Sequence, residues 1–203
     1  MEINLEAART KALADFAARD PEALAANAGA ALEAPGRMAF AYFGRAVAVC
    51  HPGGEAFWEG GEALPPREQV LLLHYLCRAT GTAPAGEWIS FAQVPGGAIY
   101  VGPFRQRCVV PLVRRFGGAP HVLARAAAVL GGQPLALGDV AFALPALPRV
   151  PLAVVFWRGD EEFPPNASLL FDRAVPNYLS AEDCVVLAQM AVKYLGLAAQ
   201  GAG

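Results

Sequence analysis

His74 and Cys77 stand three residues apart in the apolar run VLLLHYLC, so on a helix their side chains share a face. Cys50-His51 supplies a second thiol and imidazole, and the four together have the composition of a Cys2His2 zinc set. Three-residue spacing is also core spacing, however, and neighbours such as Cys50 and His51 point to opposite faces of a strand. No metal site is therefore assigned. His74 alone could act as the single axial nitrogen of a tetrapyrrole metal. Trp58, Tyr75, Trp88, Phe91, Tyr100, Phe104 and Trp157 are then candidate walls, against the plainer reading that these rings form the core. Cys108 lies beside arginines in FRQRCVV, a setting that lowers a thiol pKa. Nucleophilic use of it would want a base, and His121 is the nearest histidine in sequence. The segment Trp157-Arg158-Gly159-Asp160-Glu161-Glu162-Phe163-Pro164-Pro165 follows the most apolar strand-like run. Asp160, Glu162 and Asp172 could bind a hard cation or exchange protons there. The competing role is to cap loops and pair with Arg149, Arg158 or Arg173.

The Ala-rich stretch from about Ile3 to Glu33 predicts two helices, divided at Asp20-Pro21 as N-cap and first helical residue. Met38 to Tyr42 and Ala46 to Cys50 form a hairpin about Gly44. Arg67 to Thr80 is the strongest helix, opened by Pro66, closed by Gly81 and apolar on most sides. Glu87 to Phe91 reads as a strand, with Ala98 to Val101 pairing back across Pro95-Gly96-Gly97. Phe104 to Phe116 is helical but must kink or restart at Pro111. Pro120 to Leu130 is helical. Leu135 to Leu144 alternates loosely as a strand, and VPLAVVFW, Val150 to Trp157, is a central strand with Pro151 at its start. Ser168 to Phe171 is one more short strand. Ser180 caps a last helix running to about Leu195, with acids in its first turn. This order lacks a regular βαβ rhythm, which points to an α+β fold: a single domain over residues 1–203, with a mixed or antiparallel sheet packed with helices.

Composition bounds the function classes. In 203 residues, 55% are hydrophobic and 17% charged, which excludes a disordered chain. The formal net charge of -2 gives no global basic field for nucleic acid. No apolar run reaches the ~18–20 residues of a membrane span, and the N-terminus lacks a secretory pattern, so a cytoplasmic location is expected. The four cysteines form no CxxC pair, and free thiols are the expectation in a reducing compartment. Serines are confined to positions 90, 168 and 180 and threonines to 10, 80 and 82, which leaves few hydroxyl groups for a polar site. GxSxG, GxxxxGK[ST], GxGxxG and HExxH are all absent. Charge is segregated: between Trp88 and Arg158 seven arginines are opposed only by Asp139, while six acids between Gly159 and Asp183 are opposed only by Arg173. Two such blocks suit facing surfaces, and Arg105, Arg107, Arg114 and Arg115 suit an anion-binding patch.

The blocks REQVLLLHYLCRATGTAPAGEWISFAQVPGG, LPRVPLAVVFWRGDEEFPPNASLLFD and YLSAEDCVVLA resemble a bacterial and archaeal family known only as domain of unknown function 3786, mostly from anaerobes. The resemblance runs from about Met38 to the C-terminus, giving a helical segment 1–35 and a family-like core 36–203. Some members resemble fusions to a four-cysteine iron–sulfur segment like that of corrinoid proteins. That implies a redox or corrinoid-related setting, in which this chain, lacking the segment, would take a cluster from an iron–sulfur or corrinoid partner.

The resulting expectation is an accessory module rather than a free-standing catalyst. It would bind an apolar cofactor or ligand, tetrapyrrole or corrinoid among the candidates, between the Arg67–Thr80 helix and the sheet. His74, Tyr75, Trp88, Trp157, Asp160 and Glu162 are the expected contacts. The alternatives are an adaptor docking a redox partner through the charge blocks, and an enzyme using Asp160, Glu162 or Cys108.

Overall fold

The computed structural model describes residues 5–33 and 36–201. Ile3, where the helical reading begins, and positions 34 and 35 lie outside them. The Ala-rich start forms α1 (Leu5–Ala17) and α2 (Pro21–Ala28). They divide where expected: the Asp20 carboxylate accepts the Ala23 N–H at 3.0 Å, and Pro21 occupies the first turn. Gly29, at φ 70°, ends α2 by donating its N–H to the carbonyls of Ala25 and Ala26.

The first sheet is antiparallel, in the order β1 (Ala31–Leu32), β2 (Arg37–Tyr42), β3 (Arg45–Cys50), β4 (Ala56–Trp58). Its β2–β3 hairpin turns at Phe43 and Gly44, both at positive φ. A Cβ at Gly44 would lie 2.7 Å from the carbonyl oxygen of Leu130, so both its conformation and its space require glycine. Next comes α3 (Pro66–Arg78), which buries Glu68, Val70–Leu73, Tyr75 and Leu76. This helix stops before Thr80. Ala79 turns extended at ψ 127°, so Gly81 lies beyond the helix end rather than capping it.

The second sheet is also antiparallel, in the order β5 (Trp88–Ser90), β9 (Asn166–Asp172), β8 (Val150–Trp157), β7 (Val140–Leu147), β6 (Gln133–Pro134). The apolar run of β8 sits at the centre, with both neighbours paired and Val150 and Leu152 to Phe156 buried. Pro151 is its second residue, and the register shift between Leu144 and Leu147 accommodates Pro145, which has no N–H for the ladder. Phe43 N–H to Ala146 C=O at 3.1 Å ties the two sheets together. One continuous apolar core joins both sheets and the helices, as an α+β domain requires.

The Ala98–Val101 pairing does not form. The partner of β5 is β9, and Ala98–Tyr100 is a 3₁₀ turn held by Gly97 N–H to Val94 C=O and Tyr100 N–H to Gly97 C=O. A Cβ on Gly97 would meet the carbonyl oxygen of Phe91 at 2.0 Å, so the chain curls there as only glycine permits.

The helical run that follows is broken at Pro111, by a π turn rather than a kink: α4 (Val101–Phe104), π turn Arg105–Val109, α5 (Val110–Phe116). A proline at position 111 removes one donor and crowds the carbonyl four residues back, at Arg107, and the wider turn relieves both problems. The helix α6 (Pro120–Val129) leads into β6 and β7. After β9 the chain closes with α7 (Ala181–Gly201), which packs against α3, α5, α6 and the π turn and runs six residues beyond Leu195. Among the described helices only α7 is long and apolar enough to cross a membrane by composition. Its apolar stripe of Cys184, Leu187, Ala188, Ala191 and Leu195 lies in the core, where a buried helix has the same composition.

Candidate functional site

His74 is the half-buried exception on the otherwise buried middle of α3. Its Nδ1 lies 2.7 Å from Oδ1 of Asp183, which is 109 residues away in sequence. Asp183 sits in the first turn of α7 and is only 6% exposed. A reciprocal capping box holds it. The Asp183 N–H donates to Ser180 Oγ at 3.2 Å, and the Ser180 N–H donates to Asp183 Oδ2 at 3.1 Å. The Ser180 hydroxyl adds a further bond to the same carboxylate oxygen at 2.6 Å.

Burial pushes the Asp183 carboxyl up, but the bonds from His74 and Ser180 outweigh it and hold the group below its ordinary value. The same bond to Asp183 raises the His74 imidazole above its ordinary value, against the opposing effect of burial. An ionised carboxylate only accepts hydrogen bonds, so Nδ1 carries the proton. Nε2 is then the ring nitrogen left for the surroundings.

Those surroundings are a cleft of about 480 Å³, within the ~300–1,000 Å³ range of small-molecule sites. Leu5 and Ala8 of α1, Val70 and Leu71 of α3 and Val186 of α7 supply its apolar lining. Arg67, Arg107, Glu182, Asp183 and Gln189 supply the polar groups around His74. Arg67 is steadied by its bond to Gln189 Oε1 at 2.7 Å. Arg107 lines the cleft from the π turn. None of the ion pairs among the described residues includes Arg67 or Arg107.

Of the expected contacts, only His74 lines this cleft. Tyr75 is the next residue on the helix, and successive helical side chains diverge by about 100°. It turns away from the cleft, and its hydroxyl donates to Ala28 C=O at 2.6 Å and accepts the Arg149 N–H at 3.2 Å. Trp88 lies half-buried in the edge strand β5, paired with Asp172. Trp157 closes β8 and is 39% exposed. Asp160 and Glu162 occupy an exposed turn. There Asp160 Oδ1 accepts the N–H groups of Phe163 at 2.7 Å and Glu162 at 2.9 Å, bonds that lower its carboxyl below the ordinary value. Asp172 is a buried loop cap, accepting the N–H groups of Ala85, Gly86 and Ala174 at 2.8 Å each.

The remaining candidate groups do not converge either. Cys108 is fully buried. Its thiol faces Val185 C=O at 3.7 Å, and burial pushes it up to about 12 against the weaker pull of Arg107 and Arg67. It is therefore unreactive despite its basic neighbours in sequence. His51 packs edge-on against Phe16, with ring centroids 5.1 Å apart. No three His, Cys, Asp or Glu side chains gather into a metal-binding group among the described residues. Trp58, Phe91 and Phe104 are buried in ring clusters, Trp58 with Tyr42 and Tyr194, Phe91 stacked on Phe104 at 4.2 Å. None of the ion pairs seen joins the arginine block to the acidic block.

Sequence reasoning placed Ser180 as a helix cap but missed Asp183 as the partner of His74. The Ser-x-x-Asp spacing was the available signal. The same reasoning named Arg107 in an anion-binding patch with Arg105, Arg114 and Arg115, whereas the structure sets Arg107 with Arg67 at the His74 cleft, which the other three do not line.

No curated protein and no solved structure matches the chain. A family model does, over residues 20–194: the domain of unknown function DUF3786. The match takes in α2 through most of α7, with both sheets, His74, Arg107 and Asp183, and the chain belongs to that family.

Proposed function

We propose that this protein binds a small molecule in the cleft between α1, α3, α7 and the π turn, and that His74 meets the bound molecule through Nε2. The carrying observation is the 2.7 Å bond between His74 Nδ1 and the buried Asp183 carboxylate at the wall of that cleft. A buried carboxylate that fixes one ring nitrogen and leaves the other toward a cavity orients a ligand-contacting or proton-exchanging histidine. A core histidine usually bonds to backbone and faces no cavity.

A tetrapyrrole fits this site only in part. The fixed tautomer suits an axial ligand. The aromatic walls do not follow, because the buried rings lie in the core and charged groups surround the cleft. A small amphipathic ligand matches the lining better. A second reading, proton-transfer catalysis, draws on the Ser180–Asp183–His74 chain of hydrogen bonds. In it His74 is the base or acid, its pKa raised by the bond to Asp183. The substrate would have to supply the reacting atoms, since Cys108 is turned away to Val185.

The test is a fragment titration followed through the His74 ring signals by NMR, alongside a His74→Phe variant that keeps a ring but removes both ring nitrogens. Binders that move those signals and are lost in the variant support the proposal. A diverse fragment set that leaves the ring signals unmoved, or binds His74→Phe equally well, overturns it.

A further inference from the structure

Arg67 and Arg107 come from elements far apart in sequence, the first turn of α3 and the π turn, yet both line the cleft. Both also act on the Cys108 thiol behind it, so the two guanidinium charges converge on one region. Opposite charge at the cleft comes from Glu182, exposed on α7, and from Asp183, already engaged by His74 and Ser180. With His74 neutral these charges balance; with His74 protonated one positive charge is left over. Leu5, Ala8, Val70, Leu71 and Val186 offer the remainder of the cleft to an apolar body.

We propose, resting on the reading of the cleft as a small-molecule site, that its ligand is an amphipathic anion. A carboxylate or phosphate monoester head would sit with Arg107 and Arg67 beside His74, and an apolar chain would lie along the five aliphatic residues. Guanidinium groups favour such heads because their planar fork matches carboxylate and phosphate oxygens. Anion uptake is then coupled to protonation of His74. The charges that act on the imidazole are Asp183 from α7, Arg78 from its own helix and Asp15 from α1, while Glu182, Arg67 and Arg107 line the same cleft. Adding an anion to that set favours the imidazolium form, and by linkage the imidazolium favours the anion.

The experiment titrates the whole protein with octanoate, octyl phosphate, octylammonium and inorganic phosphate, reading the His74 ring signals and the Kd. Octanoate and octyl phosphate are expected to bind and move His74, with the tighter of the two identifying the head group. Octylammonium should leave the ring signals unmoved, and inorganic phosphate, lacking the chain, should bind more weakly. Arg107→Gln, at an exposed position that does not threaten folding, should weaken the octyl anions about tenfold or more. The octanoate affinity should fall as the pH rises through the raised His74 pKa, and His74→Gln should flatten that fall. If octylammonium moves His74 as strongly as octanoate, or Arg107→Gln binds unchanged, the anion assignment is overturned while the cleft reading stands. If no octyl compound reaches His74, the assignment is equally overturned, and the fragment titration decides the cleft reading on its own.

Discussion

Asp183→Asn isolates the contact on which the site is built, because asparagine keeps the shape and one acceptor oxygen while removing the charge. The carboxylate is 6% exposed and accepts bonds from His74 Nδ1 at 2.7 Å, Ser180 Oγ at 2.6 Å and Ser180 N at 3.1 Å. A hydrogen bond to a charged group contributes about 1.5–3 kcal/mol, against about 0.5–1.5 kcal/mol for a neutral one. An acid in the first turn of a helix adds about 0.3–1 kcal/mol. The His74 side chain is 35% exposed, so solvent screening trims its share. The expected loss is about 1–3 kcal/mol, a fall in Tm of about 3–10 °C for a domain of this size.

The pH profile is the sharper readout. The folded-state His74 pKa lies above its ordinary 6.5, so the stability it contributes is complete below that value and declines as pH rises through the folded pKa. The Asp183 pKa lies below its ordinary 3.8, so its contribution is complete above that value and declines as pH falls through the folded pKa. The gap between wild type and Asp183→Asn should therefore be widest between about pH 4 and pH 6.5 and narrow on either side. Urea denaturation at a series of pH values measures it. In a His74→Gln background the high-pH narrowing should vanish. A gap that stays flat across the whole range, or an Asp183→Asn protein more stable than wild type, would refute the reasoning.

Three further outcomes follow from the same structure. Iodoacetamide at mildly alkaline pH should spare Cys108 and Cys184, which are buried with thiols pushed upward, and label the half-buried Cys50 and Cys77 first; mass spectrometry reads the order. Asp172→Ala should cost about 3–5 kcal/mol in urea denaturation, because three backbone N–H groups lose their charged acceptor together. Glu68→Ala should cost about 2–4 kcal/mol, since it opens a cavity and strands the buried Tyr194 hydroxyl that donates to Glu68, while Lys193, 2.8 Å from the same carboxyl, is exposed enough to be solvated; thermal melts test it.

Local signals in the chain carried their elements well. Asp20-Pro21 divided the N-terminal helices because the cap and the proline act within one turn. The apolar run of β8 told its central place because burial on both faces demands it. The errors came where distant groups decide. Ala98–Val101 has strand-like residues, but Gly97 must pass under the Phe91 carbonyl, a contact that residue types do not encode. The division into two sheets depends on which strands pair with which, and no single strand's residues encode that. At the site, His74 stood out as the single polar residue in VLLLHYLC, while its partner lay 109 residues on. Tyr75 turns about 100° from His74 along the helix, and its hydroxyl is taken up by Ala28 C=O and the Arg149 N–H, partners that lie far away in sequence. Trp157, Asp160 and Glu162 looked functional because their segment is unusual, and its turn is closed by the Asp160 carboxylate itself.

The most direct measurement is the nitrogen-15 spectrum of the His74 side chain from about pH 5 to pH 9, which follows both ring nitrogens through titration. The expected result is a neutral form protonated on Nδ1 with a bare Nε2, titrating above 6.5, and a downward shift of that midpoint in Asp183→Asn. A neutral form protonated on Nε2, or a midpoint below 6.5 that Asp183→Asn leaves in place, would contradict it.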